Sequence, residues 1–146
     1  MTDKKVGRIK REELFLGTAL LFSKRSTCIK KKVGCVFVQD KRIVSTGYNG
    51  VLPGEDPETG MDNDGITHTV HAEMNAIAYA AKKGIRLEGA QVYLTLSPCE
   101  KCAEAMIQAG ITEVYYIEQY RCTSGIELLN RHNVKTKQIC INLEQR

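Results

Sequence analysis

Gln91-Val92-Tyr93-Leu94-Thr95-Leu96-Ser97-Pro98-Cys99-Glu100-Lys101-Cys102 is the run that decides how this chain folds. Gln91 to Leu96 is a short apolar segment suited to a strand. Ser97-Pro98-Cys99-Glu100 then reads as a helix start. Ser97 can cap it, Pro98 suits its first position and Glu100 completes a capping box. The helix continues through Met106 to Gly110, and Thr112 to Ile117 is strand-like again. Strand, helix and strand in such close succession demand parallel neighbours.

The rest of the chain extends this pattern in both directions. Upstream, Val70 to Lys83 is rich in Ala and Met and predicts a helix ending at Gly84, with His71 and Glu73 in its first turn. Val33 to Val38 and Arg42 to Tyr48 are two strand-like runs about the polar Gln39-Asp40-Lys41, which predicts a β-hairpin. Glu12 to Lys24 carries apolar residues at helical spacing and should stop near Arg25-Ser26-Thr27. Downstream, Ser124 to His132 predicts a short helix and Val134 to Ile141 a last strand. The order is α-β-β-α-β-α-β-α-β. It predicts a single α/β domain over residues 1–146, with a five-stranded mixed sheet and helices on both faces in three layers.

Between Gly47-Tyr48-Asn49-Gly50 and Thr69 the sequence is irregular and acidic, broken by Pro53, Gly54, Pro57, Gly60 and Gly65. A loop of this length in a compact domain serves function or moves. Asp62-Asn63-Asp64-Gly65 resembles part of a calcium loop, but Gly60 and His71 stand where that loop needs its first Asp and last Glu.

The chain has 146 residues and a net charge of +4. That length suffices for a hydrophobic core. No apolar run approaches the roughly 20 residues of a membrane span, and the charged Met1-Thr2-Asp3-Lys4-Lys5 start does not look like a secretory signal. A cytoplasmic setting is the expectation. There a close cysteine pair points to metal or catalysis rather than to disulfides. Cys35, Cys122 and Cys140 lie in or beside apolar segments and are expected to be buried thiols. Basic residues gather at Lys4 to Arg11 and at Lys24 to Lys32, a solvated face or an attraction for phosphate.

The chemistry centres on His71, Glu73, Cys99 and Cys102. One imidazole and two cysteines three apart are ligands for a tetrahedral zinc, and three protein ligands leave its fourth position open to water. Glu73 is not needed as a ligand, so its carboxylate is free to move protons. The two cysteines fall in the first turn of a helix, where the positive helix end favours thiolates. Read blandly, a CxxC pair is a structural half-site or a redox pair, and His71 a capping surface residue. A fourth Cys or His ligand would favour that reading.

His71-x-Glu73 followed, after 25 intervening residues, by Cys99-x-x-Cys102 behind Pro98 is the signature of zinc-dependent nucleobase deaminases. The chain resembles the cytidine deaminase superfamily along nearly its whole length, and within it the deoxycytidylate (dCMP) deaminases. The likeness rests on Arg25-Ser26-Thr27-Cys28, Val33-Gly34, Gly47-Tyr48-Asn49-Gly50, His71 to Ile77 and Thr95 to Cys102. It implies the cytidine deaminase-like α/β/α fold, one catalytic Zn2+ at His71, Cys99 and Cys102, and conversion of dCMP to dUMP with Glu73 as proton shuttle. It further implies that Asn49 binds the sugar hydroxyl and that backbone near Ala72 and Ser97 holds the base edge. Arg25, Ser26 and Tyr120 would meet the 5′-phosphate, Arg25 because a guanidinium fork matches that group.

Members of this family are often hexamers activated by dCTP with Mg2+ and inhibited by dTTP. Gly47, Tyr48 and Gly50 resemble the effector-binding segment. Some also hold a structural zinc. Cys28 and His68 match part of that second site, but no cysteine lies between Gly50 and His71.

A deaminase acting on nucleic acid, such as a tRNA adenosine deaminase, would use the same metal site. The basic residues here are not interleaved with aromatics on which bases could stack, and no basic stretch follows the last strand. Nucleic acid is therefore not the expected substrate. A non-catalytic zinc module is the reading from another class, and in it Glu73 would be dispensable.

Overall fold

The computed structural model describes residues 7–28, 30–56 and 69–143. Its elements follow the expected order: α1 Arg11–Ser23, β1 Gly34–Gln39, β2 Arg42–Tyr48, α2 Ala72–Lys83, β3 Gln91–Leu96, α3 Glu100–Gln108, β4 Glu113–Glu118, α4 Ser124–Arg131 and β5 Lys135–Gln138. The strands form one sheet in the order β2-β1-β3-β4-β5. β1 is antiparallel to both β2 and β3, whereas β3–β4 and β4–β5 are parallel. The sheet is mixed, as expected.

Strand side chains alternate between faces, and this separates two cores. Val36, Val38, Tyr93 and Tyr115 meet Phe15, Leu16 and Ala19 of α1 on one face. Tyr93 lies between Phe15, tilted against it with ring centroids 5.1 Å apart, and Tyr115, stacked on it at 5.0 Å. Cys35, Phe37, Val92, Leu94, Val114 and Tyr116 face the other way, onto the alanines of α2, Ala103 and Met106 of α3, and Leu129 of α4. The steps β3 to β4 and β4 to β5 run in one direction across the sheet. Right-handed crossovers therefore leave α3 and α4 on the same face.

The β1–β2 hairpin turns at Asp40 and Lys41, whose φ angles of 51° and 65° suit a two-residue hairpin turn. Gly84 closes α2 in the left-handed conformation, φ 69°, as the sequence predicts. Gly47 is needed for close packing: a Cβ there would lie 2.2 Å from the Ala72 carbonyl oxygen. β2 thereby presses directly on the first turn of α2.

Several boundaries depart from expectation, most of them by one or two residues. α2 begins at Ala72 rather than Val70, because Val70 instead pairs with Gly50 in an isolated antiparallel bridge. α3 begins at Glu100 with Cys99 as its N-cap. Ser97 and Pro98 precede the helix, since the Ser97 N–H continues the strand by bonding the Glu118 carbonyl oxygen at 2.9 Å. The last strand shortens to Lys135–Gln138. Cys35 is buried as expected, but Cys122 and Cys140 are exposed, lying after β4 and after β5, where packing on the sheet has ended. Among the described residues no helix is long and apolar enough to cross a membrane.

Candidate active site

Two helix starts meet just beyond the C-terminal end of β3, where ligands gather in open α/β sheets. His71 is the N-cap of α2 and Cys99 that of α3, both with extended backbone. Their side chains leave each helix on the side from which its N–H groups point. Cys99 Sγ accepts a hydrogen bond from the Cys102 N–H at 3.5 Å, drawing the pair together. A Cβ on Gly125 would stand 2.2 Å from the Pro98 carbonyl oxygen, so glycine lets α4 close against the backbone of the Pro98-Cys99 corner.

His71 Nδ1 lies 3.5 Å from Cys99 Sγ and 3.3 Å from Cys102 Sγ. The three donor atoms fall within 4.8 Å of one another. Tetrahedral zinc with ordinary Zn–N and Zn–S bonds would set each N···S separation at about 3.5 Å. The donor set therefore fits zinc in both chemistry and spacing. No fourth cysteine, histidine or carboxylate joins the cluster among the described residues.

Protonation at the site follows from this crowding. The Cys102 thiol hydrogen-bonds Cys99, which with the bond to His71 holds Cys99 down to about 3 and raises Cys102. A metal cation bound there would require both sulfurs as thiolates. His71 is raised, first by its hydrogen bond with Cys99. Glu73, only 4% exposed, is pushed up to about 7, chiefly by desolvation and against the pull of its own backbone N–H and of His71. A carboxyl poised near neutrality both takes and gives protons.

The cluster opens into a cleft of about 360 Å³ whose lining includes Asn49, Thr69, Ala72, Glu73, Ser97 and Tyr120. Asn49 ties down the wall opposite the metal ligands. Its Oδ1 accepts from Ser26 Oγ and, at 2.9 Å, from the Val33 N–H, while Nδ2 donates to the Lys31 carbonyl oxygen at 2.7 Å. One N–H of Asn49 has no partner among the described residues. Ser26 is buried behind Asn49 and does not line the cleft. Ser97 Oγ accepts from the Tyr120 N–H at 2.7 Å and from Gln119 Nε2 at 3.0 Å, which holds Tyr120 at the rim.

Arg25 is exposed on the turn after α1 and lies outside the lining, whereas Lys30 and Lys31 are part of it. Cys28 also lines the cleft. His68, its expected partner, lies outside the described residues, as do the calcium-like stretch and positions 57–68 of the acidic loop. Gly47, Tyr48 and Gly50 line a second, larger cavity of about 810 Å³ together with Leu52, Asn75 and Tyr79. Asn49 therefore faces one cavity and its two neighbours the other, as alternation along an extended segment requires.

Sequence reasoning missed the lysines, because a charge run does not disclose its direction. It also missed Cys35, whose Sγ donates to the Ala72 carbonyl oxygen at 3.3 Å beneath the site. The alternation that turns Cys35 towards α2 was the signal available.

This geometry sets a His-Cys-Cys group able to hold a metal beside a buried carboxyl. Residues 9–118 match the family model described as the cytidine and deoxycytidylate deaminase zinc-binding region. The chain is 39% identical to ComE operon protein 2 of Bacillus subtilis, over 90% of this chain and 72% of that protein. It is 33% identical to the deoxycytidylate deaminase of Enterobacteria phage T2, over 72% of this chain and 78% of that one. The crystal structure of the cyanophage S-TIM5 dCMP deaminase with dCMP and dUMP superposes with a TM-score of 0.81 at 36% identity, covering 90% of this chain and all of that one (100%). The chain belongs to the cytidine and deoxycytidylate deaminase family, and these likenesses place it in the deoxycytidylate branch.

Proposed function

We propose that the chain converts dCMP and water to dUMP and ammonia, with zinc held by His71, Cys99 and Cys102. The observation that carries this reading is the convergence of three zinc-type donor atoms beside the buried carboxyl of Glu73. When bound there, the zinc supplies a Lewis acid that makes water nucleophilic near neutral pH. Glu73 takes a proton from the attacking water and gives it to N3 of the ring. It then takes the remaining proton from the hydroxyl now on C4 and passes it to the amine, which leaves as ammonia while that oxygen becomes the new carbonyl. The free N–H of Asn49 holds the sugar hydroxyl, and backbone at Ala72 and Ser97 holds the base edge. Tyr120 covers the phosphate end, and Ser26 acts through Asn49.

Regulation and assembly belong to the same proposal. The cavity beside Gly47, Tyr48 and Gly50 is the place for dCTP with Mg2+ as activator or dTTP as inhibitor. A hexamer is the assembly, and supply of dUMP for dTMP in a reducing cytoplasm the role. Zinc-loaded protein incubated with dCMP, with deoxycytidine in parallel, tests the reaction by chromatography. Production of dUMP from dCMP is expected, with the rate changed by dCTP–Mg2+ and dTTP. No product from either compound, even with dCTP present, would shift the substrate to a nucleic acid such as tRNA. Light scattering tests the hexamer.

A further inference from the structure

Three consecutive lysines lead into β1, and each is placed differently. Lys32 Nζ donates to the Ser26 carbonyl oxygen at 2.9 Å and so straps its own loop. Lys31 Nζ lies 3.0 and 2.9 Å from the two carboxylate oxygens of Glu118, at the end of β4. Lys30 and Lys31 line the cleft, and apart from His71 they are the cationic side chains in its described lining. The backbone of Lys31 is fixed, because Asn49 holds its carbonyl. Glu118 is anchored on the other side, where its carbonyl accepts from the Ser97 N–H. The ion pair therefore joins the wall carrying Asn49 to the wall carrying Ser97 and Tyr120.

This pair is only half-buried, with side chains 49% and 58% exposed, so solvent screens it and it holds weakly. A phosphate monoester carries up to two charges and offers three oxygens, and it competes well against one carboxylate for the same ammonium. We propose that Lys31 is the specificity-determining residue for the 5′-phosphate, and that it exchanges Glu118 for the phosphate when the nucleotide enters. This rests on the nucleotide reading above and gives the phosphate contact to Lys31 rather than Arg25.

Binding of dUMP and of deoxyuridine to zinc-loaded protein, measured by calorimetry, isolates the contribution of the phosphate without requiring turnover. A charge-assisted hydrogen bond predicts that wild type prefers dUMP by at least about tenfold. Lys31→Ala should remove most of that preference and raise the KM for dCMP without a matching fall in kcat. Lys31→Arg should restore it, and Glu118→Gln, by releasing the lysine, should tighten dUMP. The inference is overturned if the preference survives Lys31→Ala, if it disappears instead in Arg25→Ala, or if Lys31→Ala weakens deoxyuridine equally. A wild type that prefers dUMP through Lys31 but does not deaminate dCMP would uphold the phosphate contact and overturn the reaction.

Discussion

The two walls of the cleft are held in different ways. On the metal side, ligands sit at the starts of two helices. Cys99 and Cys102 are fixed by one turn of backbone, and α2 is pressed into place by β2 at Gly47. On the other side, residues 26–28 and 30–33 belong to neither a helix nor a strand. One carboxamide, that of Asn49, gathers Ser26, Lys31 and Val33. Many small constraints hold the first wall, whereas the second depends chiefly on one carboxamide, with the Lys32 strap and the exposed Lys31–Glu118 pair beside it. The chemistry and the recognition of substrate should therefore fail separately.

The largest effect expected is on the metal wall. Glu73→Gln preserves shape and leaves the three ligands intact, so zinc measured by atomic absorption should stay near one per chain. Turnover should fall by about 10³-fold or more, as loss of the acid-base group implies. Loss of zinc together with activity would instead make Glu73 a ligand.

Asn49→Ala addresses the opposite wall. It strands the Val33 N–H and the Ser26 hydroxyl, at about 1–3 kcal/mol each. A fall in kcat/KM of about a hundredfold is expected, with zinc content unchanged and a lower melting temperature. Loss of zinc in this variant would mean that the walls are not independent.

Ser97→Ala should do less. It deprives the Tyr120 N–H of its side-chain acceptor and Gln119 Nε2 of one of its two acceptors, which should raise the KM for dCMP by about tenfold and leave kcat little changed.

The mildest expectation concerns stability. In metal-free protein the folded-state pKa of Glu73 is raised to about 7 from 4.5. The folded state therefore binds the extra proton between those values, and this contribution to stability declines as pH rises through that window. Glu73→Gln escapes the decline. Denaturant melts should favour it increasingly, by up to about 1.4 kcal/mol per pH unit between 4.5 and 7, and level off outside that range. A constant difference would mean that the carboxyl is not desolvated.

The same contrast explains what could be read in advance. The β3–α3–β4 unit and the ligand pair are local, set by residues within one turn of each other, and both were legible. The exact start of α3 was not. Ser97 has the chemistry of a cap, yet its N–H is taken by Glu118 and its hydroxyl by the loop after β4, partners more than 20 residues away. That Arg25 would fall outside the cleft lining while Lys30 and Lys31 join it was hidden for a similar reason. Position in a charge run does not say which lysine a distant carboxamide will hold against the cleft. Cys122 and Cys140 looked apolar by their neighbours, but their strands end before reaching them.

The sheet order carries a consequence for how the protein assembles. β1 pairs with β2 through a turn of two residues, but with β3 through Cys35↔Leu94, across the segment that carries His71. Short loops close quickly and long ones slowly. The hairpin can form while His71 and the cysteines are still far apart. Only docking of β3 onto β1 brings them within reach of one ion. Metal capture then becomes a late event in folding, and protection of the Cys102 thiol from alkylation during refolding in zinc would time the closure of the sheet.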